Sequence, residues 1–188
     1  MSLLEQLQAY EPYNEQEAHD KEVMLRMLAD ESQPDVFTRE NKVAHFTASS
    51  WLVNKEHTKV LMIYHNLYNS WAWTGGHADG DRDLLAVAIK EAQEETGVQN
   101  IVPVRESIYS IETLTVDGHM KKGKYVPSHL HLNVTYLLEA DEDEILRVKP
   151  DENSGVAWFD LGEVMGKCTE PWMVEWIYMK LRAKLVAR

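Results

Sequence analysis

The sequence predicts a mixed α/β (α+β) fold, in which a sheet packs with helices. Residues 129–138 alternate polar and apolar side chains, the pattern of a strand that buries one face. Residues 83–96 combine helix formers with an apolar stripe and are followed by Gly97, which is typical of a helix with a glycine C-terminal stop. Because segments of both kinds interleave along the 188 residues, we expect one well-cored mixed domain with a small appendage.

The first 40 residues predict a helical extension that precedes a main domain at residues 41–188. Residues 3–30 are rich in helix formers and indicate one or two amphipathic helices. Their apolar positions include Val23, Leu25, Met27 and Leu28. The segment Gln33-Pro34-Asp35 then breaks the pattern. This extension is too short to form its own core, so we expect it to pack on the main domain.

The main domain begins with stranded sequence. Residues 45–53 and 59–65 flank a polar turn and predict a hairpin-like pair of strands. Residues 71–74 predict a short strand that leads into Gly75-Gly76. After the helix that ends before Gly97, the expected elements are strands in residues 101–111, 112–116 and 155–159, and an amphipathic helix over residues 171–185 that starts with a proline.

Several side chains are candidates for contacting a ligand. His129 and His131 share the polar face of their strand and could line a cleft, or simply form a polar sheet face. A zinc site at this pair is a third option, although no further ligand is in register. Trp73 could stack on a base, but packing in the core is the more common fate of a tryptophan. Lys122, in the basic loop Lys121–Lys124, could meet a phosphate, although charge runs are usually solvated.

The most informative feature is the acidic surface of the helix at residues 83–96. At about 100° per residue, Glu91, Glu94 and Glu95 fall within roughly a 100° arc. Like charges at these spacings destabilise an isolated helix. The arrangement is explained if oxygen ligands meet a hard divalent cation there, and the alternative is a solvated acidic face.

The segment Gly76–Val98 resembles the Nudix box, the signature of the Nudix hydrolase family, written G-x5-E-x7-R-E-U-x-E-E-x-G-U with U an aliphatic residue. Gly76, the three glutamates, Gly97 and Val98 all match the pattern. Two positions depart from it, because Arg82 stands where the family has a glutamate and Lys90 where it has an arginine. Asp81 and Asp83 flank Arg82 and could take over the acidic role. Lys90 keeps the charge but loses the forked donor geometry of a guanidinium.

The resemblance implies a Nudix-type α/β/α sandwich with a mixed sheet, from about residue 44 to the carboxyl terminus. It also implies hydrolysis of a diphosphate linkage in a nucleoside diphosphate joined to a second group, with Mg²⁺ or Mn²⁺ as cofactor. The implied metal ligands are Gly76, Glu91, Glu94, Glu95 and, from a later loop, Glu152, which could equally be a solvated acid. The implied catalytic residues are Glu94, Glu91 and Lys90, with Glu94 favoured as the general base. The expected substrate-binding residues are His129, His131, Trp73 and Lys122.

Composition limits the partners and the compartment. A net charge of −12 argues against an extended nucleic acid or a membrane surface as partner, but not against a nucleotide whose phosphates share a bound cation. The single cysteine, Cys168, excludes an intrachain disulfide and fits a reducing cytoplasm. No run approaches the length of a membrane span, and the first residues lack a signal pattern. The amino-terminal helices and the tail could form a homodimer contact.

Two other functions are compatible with the pattern. One is a catalytically weak or inactive Nudix domain that binds a nucleotide or a protein partner, which the substitution at Arg82 would explain. The other is isomerase chemistry of the kind found in isopentenyl-diphosphate isomerase, which needs a well-placed cysteine. Cys168 lies late in the chain beside the tail helix, which disfavours isomerase chemistry. The substrate itself stays open among nucleotide sugars, dinucleotides, oxidised nucleoside triphosphates and coenzymes.

Overall fold

A computed structural model describes residues 1–121 and 123–186. Within them an eight-stranded mixed sheet is packed with helices, together with a separate two-stranded hairpin. The strands are β1 (Ala44–Asn54), β2 (Lys59–His65), β3 (Ser70–Ala72), β4 (Thr74–His77), β5 (Val102–Pro103), β6 (Ser110–Val116), β7 (His119–Lys121), β8 (Lys124–Val126), β9 (His129–Ala140) and β10 (Asn153–Asp160). The helices are α1 (Leu3–Ala9), α2 (Glu15–Ala29), α3 (Leu84–Thr96), a 3₁₀ turn (Val164–Gly166), and a π-helical stretch (Met173–Tyr178) that continues as α4 (Met179–Val186).

The centre of the sheet is the parallel pair of β1 and β9. Along the path the strand order is β10-β2-β1-β9-β5, with β3 on β2, β4 on β1 and β6 on β9. The β1–β9 register runs unbroken from Ala44 opposite Leu130 to Asn54 opposite Ala140. Every residue of β1 is buried, as expected for a strand covered on both faces.

Two layers of helix cover the sheet. Phe46 and Leu52 of β1 belong to a core cluster that includes Leu84 and Ala88 of α3. Trp51, also on β1, belongs to a second cluster with residues of the tail helix, among them Ile177 and Leu181. The predicted mixed sheet with a helical layer on each face is confirmed.

Helix α3 has the predicted bounds. The Asp83 side chain accepts a hydrogen bond from the Ala86 amide at 3.1 Å and caps the start of the helix. Gly97 ends it with φ of 79°, a left-handed conformation that glycine adopts without strain. Asp81 accepts from the Asp83 amide at 2.9 Å, so both aspartates have local roles at the helix start.

The amino-terminal helices pack on the sheet, as expected from their length. Leu3 and Leu7 of α1 and Met24 of α2 lie in the same core cluster as α3. We retain the boundary at residue 40 between the extension and the Nudix-like domain as a proposal. No helix among the described residues is both long and apolar enough to cross a membrane.

Four elements differ from the sequence prediction. The strand expected at residues 101–111 is reduced to the short β5, and its last two residues belong to β6, which runs unbroken across the predicted division at residue 112. The strand expected at residues 71–74 is divided into β3, which pairs with β2, and β4, which pairs with β1, because the chain crosses between them at Trp73. The basic loop joins β7 to β8, which pair as a hairpin with Lys121 opposite Lys124, while Lys122 lies outside the described residues. The tail helix begins with the π-helical stretch rather than as a regular α-helix.

A buried ion cluster ties α2, β6 and α4 together. Glu17 and Glu112 are fully buried, and the Lys180 ammonium lies 3.3 Å from Glu17 and 3.0 Å from Glu112. Lys184 lies 2.8 Å from Glu17, which also accepts a hydrogen bond from the Tyr10 hydroxyl at 2.6 Å. Burial alone would raise the pKa of Glu17, but the two lysines and these hydrogen bonds outweigh it and lower the pKa to about 2.

We predict that Glu17→Gln lowers the free energy of unfolding by about 3–5 kcal/mol, because it leaves buried ammonium groups with too few counter-charges. In the wild type, the contribution of Glu17 is present above its ordinary pKa and is lost as the pH falls from there through about 2. The variant should therefore lose less stability than the wild type over that acid range. Urea unfolding at several pH values measures both effects.

The matched control is Glu15→Gln at the exposed start of the same helix, where the carboxylate lies 3.7 Å from the His19 ring nitrogen in an exposed pair. It should leave the free energy of unfolding nearly unchanged. Equal effects of the two substitutions would contradict the role assigned to the ion cluster.

Candidate metal and substrate site

The three glutamates of α3 occupy three different environments along one side of the helix. Glu95 is buried, with 3% of its surface exposed, and accepts a hydrogen bond from the Gly75 amide at 3.0 Å. Glu91 is half-buried against the backbone of Gly76. Glu94 is exposed and contacts Lys149 at 3.3 Å. The sequence placed them on one arc, and the fold gives each carboxylate its own partner.

The glycine pair allows β4 to lie between β1 and α3. A Cβ atom on Gly76 would lie 2.7 Å from the Glu91 carboxylate oxygen, so only glycine leaves that carboxylate in place. A Cβ atom on Gly75 would lie 2.7 Å from the Ala48 carbonyl oxygen of β1. The backbone of Gly76 therefore lies directly against the Glu91 side chain.

The electrostatics of the site favour a cation. Burial raises the pKa of Glu95 to about 8; the Gly75 hydrogen bond opposes this rise, whereas Glu91 and Glu152 add to it. Burial and the neighbouring Glu94 carboxylate also raise the pKa of Glu91. A bound divalent cation would reverse both shifts by stabilising the ionised carboxylates.

Lys149 connects Glu152, in the loop before β10, to Glu94 of α3. Its ammonium lies 2.9 Å from Glu152 and 3.3 Å from Glu94, so it bridges two of the predicted metal ligands. Burial lowers the pKa of Lys149, but its hydrogen bonds to Glu152 and Glu94 outweigh that effect and raise it. Sequence reasoning missed Lys149. The only local signal is its spacing of three residues before Glu152, which says nothing about Glu94.

The two residues that depart from the Nudix pattern point away from the buried carboxylate. Lys90 is exposed and pairs with Glu94 one turn further along α3, at 3.7 Å. Arg82 donates to Asp35 at 2.8 Å and its guanidinium lies 4.5 Å from the centre of the Phe37 ring. Arg82 thus attaches the start of the box to the segment that precedes β1.

A cleft of about 240 Å³ opens beside the glycine pair. Gly76 and Glu95 line one side, and His131 and Asn133 of β9 line another. Trp73 also lines it but is only 9% exposed, and its indole packs edge-on against Tyr178 with ring centres 5.7 Å apart. Most of that ring is therefore committed to packing.

The floor of this cleft is a hydrogen-bonded polar layer. The Asn133 carbonyl oxygen accepts from the hydroxyl groups of Thr47 at 3.0 Å and Ser49 at 2.8 Å. The Asn133 amide nitrogen donates to Glu112 at 2.9 Å. The polar face predicted for β9 therefore continues across β1 and is internally satisfied, as buried polar groups normally are.

The comparison with known families decides the assignment. The sequence model of the NUDIX domain matches residues 43–179, which is more than half of the chain. The chain belongs to the Nudix family. The Nudix resemblance of the Gly76–Val98 segment is thereby confirmed.

Solved Nudix structures share the fold of this chain. A hydrolase of the NUDIX family from Clostridium perfringens is 20% identical, with a TM-score of 0.54 over 76% of this chain and 97% of that one. An Ap4A hydrolase from C. elegans, in a binary complex, is 19% identical, with a TM-score of 0.53 over 76% and 95%. A MutT protein from Methanosarcina mazei is 14% identical, with a TM-score of 0.53 over 76% and 92%. At these identities the likeness establishes the fold alone. No curated protein matches the chain.

The donor set of the Nudix box fits the cations that Nudix hydrolases generally use. Glu91, Glu94, Glu95 and Glu152 offer carboxylate oxygens on one side of the site, and the backbone of Gly76 lies against Glu91. Among the described residues, no three of these carboxylates lie within 4.8 Å of one another. Mg²⁺ and Mn²⁺ prefer such oxygen ligands. Lys149 already places one positive charge between two of the four carboxylates, which indicates that this position accommodates a cation.

We predict that Gly76→Ala weakens Mn²⁺ binding about tenfold, because the added methyl group displaces the Glu91 carboxylate. The group that must move is the end of a flexible side chain, so the free energy of unfolding should change little. Calorimetric titration with Mn²⁺ and urea unfolding measure the two effects. Gly162→Ala is the control, because a Cβ atom there meets nothing within 4 Å. Unchanged Mn²⁺ affinity in Gly76→Ala would contradict the assigned contact.

We further predict that Lys149→Gln tightens Mn²⁺ binding about five- to tenfold, since it releases Glu94 and Glu152 from two partly exposed ion pairs worth roughly 1 kcal/mol together. Lys90→Gln, which removes only the longer contact to Glu94, should have a smaller effect. Both affinities are measured by the same titration at low ionic strength. Weaker binding in Lys149→Gln would show that the lysine supports the site instead of competing with the cation.

Proposed function

We propose that this Nudix protein is a divalent-cation-dependent hydrolase that cleaves the diphosphate linkage of a nucleoside diphosphate joined to a second group. The observation that carries the proposal is the contact of the Gly75-Gly76 backbone with Glu95 and Glu91 at the edge of the cleft. This contact places the glycine backbone and the Glu95 carboxylate at the cleft, with Glu91 beside Gly76. Hydrolysis of a phosphoanhydride needs such charge neutralisation and an oriented water.

The exposure and the contacts of each residue indicate its role in the proposed reaction. Mg²⁺ or Mn²⁺ would be held by Gly76, Glu91, Glu94 and Glu95, with Glu152 from the loop before β10, and would neutralise the phosphate oxygens. Glu95 accepts a hydrogen bond from the Gly75 amide, which fixes its carboxylate at the inner edge of the site. Glu94 is the carboxylate open to solvent, with 43% of its side chain exposed, so it can orient or deprotonate a water. Lys149 pairs with Glu94 and Glu152 until a cation or substrate displaces it.

The cleft supports a small-molecule nucleotide as the substrate. The small part of Trp73 that reaches the cleft would contact a base or another flat group. His131 lines the facing wall, and the buried polar layer that contains Asn133 lies beneath it. Lys122, proposed to meet a phosphate, lies outside the described residues. The single cysteine and the acidic composition support a cytoplasmic protein with no extended nucleic acid as partner, and a homodimer remains part of the proposal.

The second candidate, a Nudix domain that binds a nucleotide or protein without turnover, was suggested by Arg82. The contacts of Arg82 with Asp35 and Phe37 direct its charge toward the amino-terminal segment. This favours the hydrolase, because the substitution does not place a cation against the glutamates of α3. Cys168 supports no isomerase role, since burial raises the pKa of its thiol and a thiol with a raised pKa is a poor nucleophile near neutral pH.

The test is diphosphate cleavage by wild type and Glu94→Gln with Mg²⁺ or Mn²⁺, over a panel of nucleotide sugars, dinucleotides, oxidised nucleoside triphosphates and coenzymes. We predict that Glu94→Gln lowers kcat by about 100-fold or more, since it removes a general base or metal ligand. Glu22→Gln, at an exposed position of α2, is the matched control and should keep full activity. A wild type that binds these nucleotides but cleaves none of them would establish the second candidate.

A further inference from the structure

Three of the eight histidines converge beside the cleft, and a fourth lies next to two of them. His45 of β1, His77 of β4, and His129 and His131 of β9 form what we call the histidine cluster. Ring centres lie 5.2 Å apart for His45 and His77, 5.1 Å for His45 and His131, and 4.8 Å for His77 and His131. His129 lies 4.8 Å from His45 and 5.1 Å from His131. The sequence showed no further ligand in register with His129 and His131, but β1 and β4 bring His45 and His77 close to His131.

The strand pairing explains the convergence. His45 lies directly opposite His131 in the parallel β1–β9 register. His77 lies opposite Thr47 in the antiparallel β4–β1 pairing. Thr47 follows His45 by two residues and is therefore on the same face of β1. Side chains on one face of adjacent strands are close neighbours. Three strands thus present imidazoles to one space.

His45 carries an orphaned nitrogen that points to a ligand. His45 is buried, with 4% of its surface exposed, and its Nδ1 lies 3.1 Å from the Asn41 carbonyl oxygen. A carbonyl can only accept, so Nδ1 carries the proton and Nε2 carries a lone pair. That Nε2 is buried and has no hydrogen-bond partner among the described residues. A buried acceptor of this kind is costly, and a backbone carbonyl on the other ring nitrogen is the usual support of a metal-bound histidine.

In His129, as in His45, a backbone carbonyl accepts a hydrogen bond from Nδ1. Its Nδ1 donates to the Pro127 carbonyl at 2.8 Å, which leaves a lone pair on Nε2. This Nε2 lies 3.3 Å from Nε2 of His131. Two nitrogens bound to one tetrahedral zinc ion at about 2.0–2.1 Å are roughly 3.4 Å apart. The spacing of the pair therefore matches two ligands of one ion.

The remaining geometry agrees. One ligand atom from each of His45, His77 and His131 can be chosen so that all lie within 4.8 Å of one another, the one such group found among the described residues. These three histidines therefore lie close enough to share one ion.

We propose that the histidine cluster binds one transition-metal ion of the Zn²⁺ class through His45, His77 and His131, with His129 as the fourth ligand. An all-nitrogen donor set selects Zn²⁺, Co²⁺, Ni²⁺ or Cu²⁺ over Mg²⁺, in contrast to the oxygen donors of α3. The ion cross-links β1, β4 and β9. It thereby anchors β4, whose glycine pair contacts Glu91 and Glu95. This inference does not depend on the hydrolysis proposed above.

The test uses the full chain, freed of metal by a chelator and then kept in excess Mg²⁺. Titration with Co²⁺ should give the intense visible absorption bands of a tetrahedral nitrogen site and saturate at one equivalent. Zn²⁺ should displace the Co²⁺, and Mg²⁺ should not. Zn²⁺ should also raise the Tm of the wild type. A wild type without these bands, or one that loses them to Mg²⁺, would overturn the proposal.

Variants assign the ligands. His77→Asn and His131→Asn should weaken Zn²⁺ and Co²⁺ binding more than about 100-fold, because loss of a ligand exceeds the usual effect of losing its supporting hydrogen bond. The less buried His129→Asn, which is the safer variant for folding, should shift the Co²⁺ bands and weaken binding by about tenfold or more. Wild-type affinity and spectrum in all three variants would refute the site, whatever their hydrolytic activity.

Two control variants distinguish the histidine cluster from the carboxylate site and from histidines elsewhere in the chain. His57→Asn changes a histidine at the β1–β2 turn, beyond the other end of β1, where a positive φ of 54° suits asparagine. It should leave Co²⁺ binding unchanged. Glu94→Gln should also leave it unchanged while affecting the carboxylate site. Loss of Co²⁺ binding in Glu94→Gln would show one shared site and would overturn the proposal of a separate histidine site.

Discussion

The parallel pairing of β1 with β9 is the constraint on which the rest of the structure depends. Its unbroken register places the polar residues of both strands side by side on one face of the sheet. Thr47, Ser49 and Asn133 satisfy one another there, so a polar layer can be buried without loss of hydrogen bonds. The same pairing brings together the histidines at the amino-terminal ends of both strands. Both the floor and one wall of the cleft follow from it.

Two kinds of donor meet at the β4 glycine pair, and they differ in what they can bind. On one side lie the oxygen atoms of the α3 glutamates, which suit Mg²⁺ or Mn²⁺. On the other side lie imidazole nitrogens, which suit Zn²⁺ and its neighbours. Gly75 and Gly76 form the boundary, because residues with side chains would clash with Ala48 on one side and Glu91 on the other. A single short segment therefore couples the two environments.

Much of the candidate site could be predicted because its signals are local. The bounds of α3 follow from Asp83 and Gly97, and the common side of Glu91, Glu94 and Glu95 follows from helix periodicity. The bridge from Lys149 to Glu94 could not be predicted, since it joins residues 55 positions apart through a loop. The division of the strand at Trp73 was missed for a similar reason. It depends on which neighbouring strand each half pairs with, and no local pattern encodes that choice.

The sequence by itself determined the family, the mixed fold class and the acidic side of α3, because these depend on composition, spacing and helical period. The tertiary structure alone decided which groups those residues meet. Alternation along β9 revealed that His129 and His131 share a face, but not that His45 and His77 complete the set. Strand register is fixed by long-range pairing and packing rather than by the residues of one strand. For that reason the gathering of four histidines became visible only once β1, β4 and β9 were placed side by side.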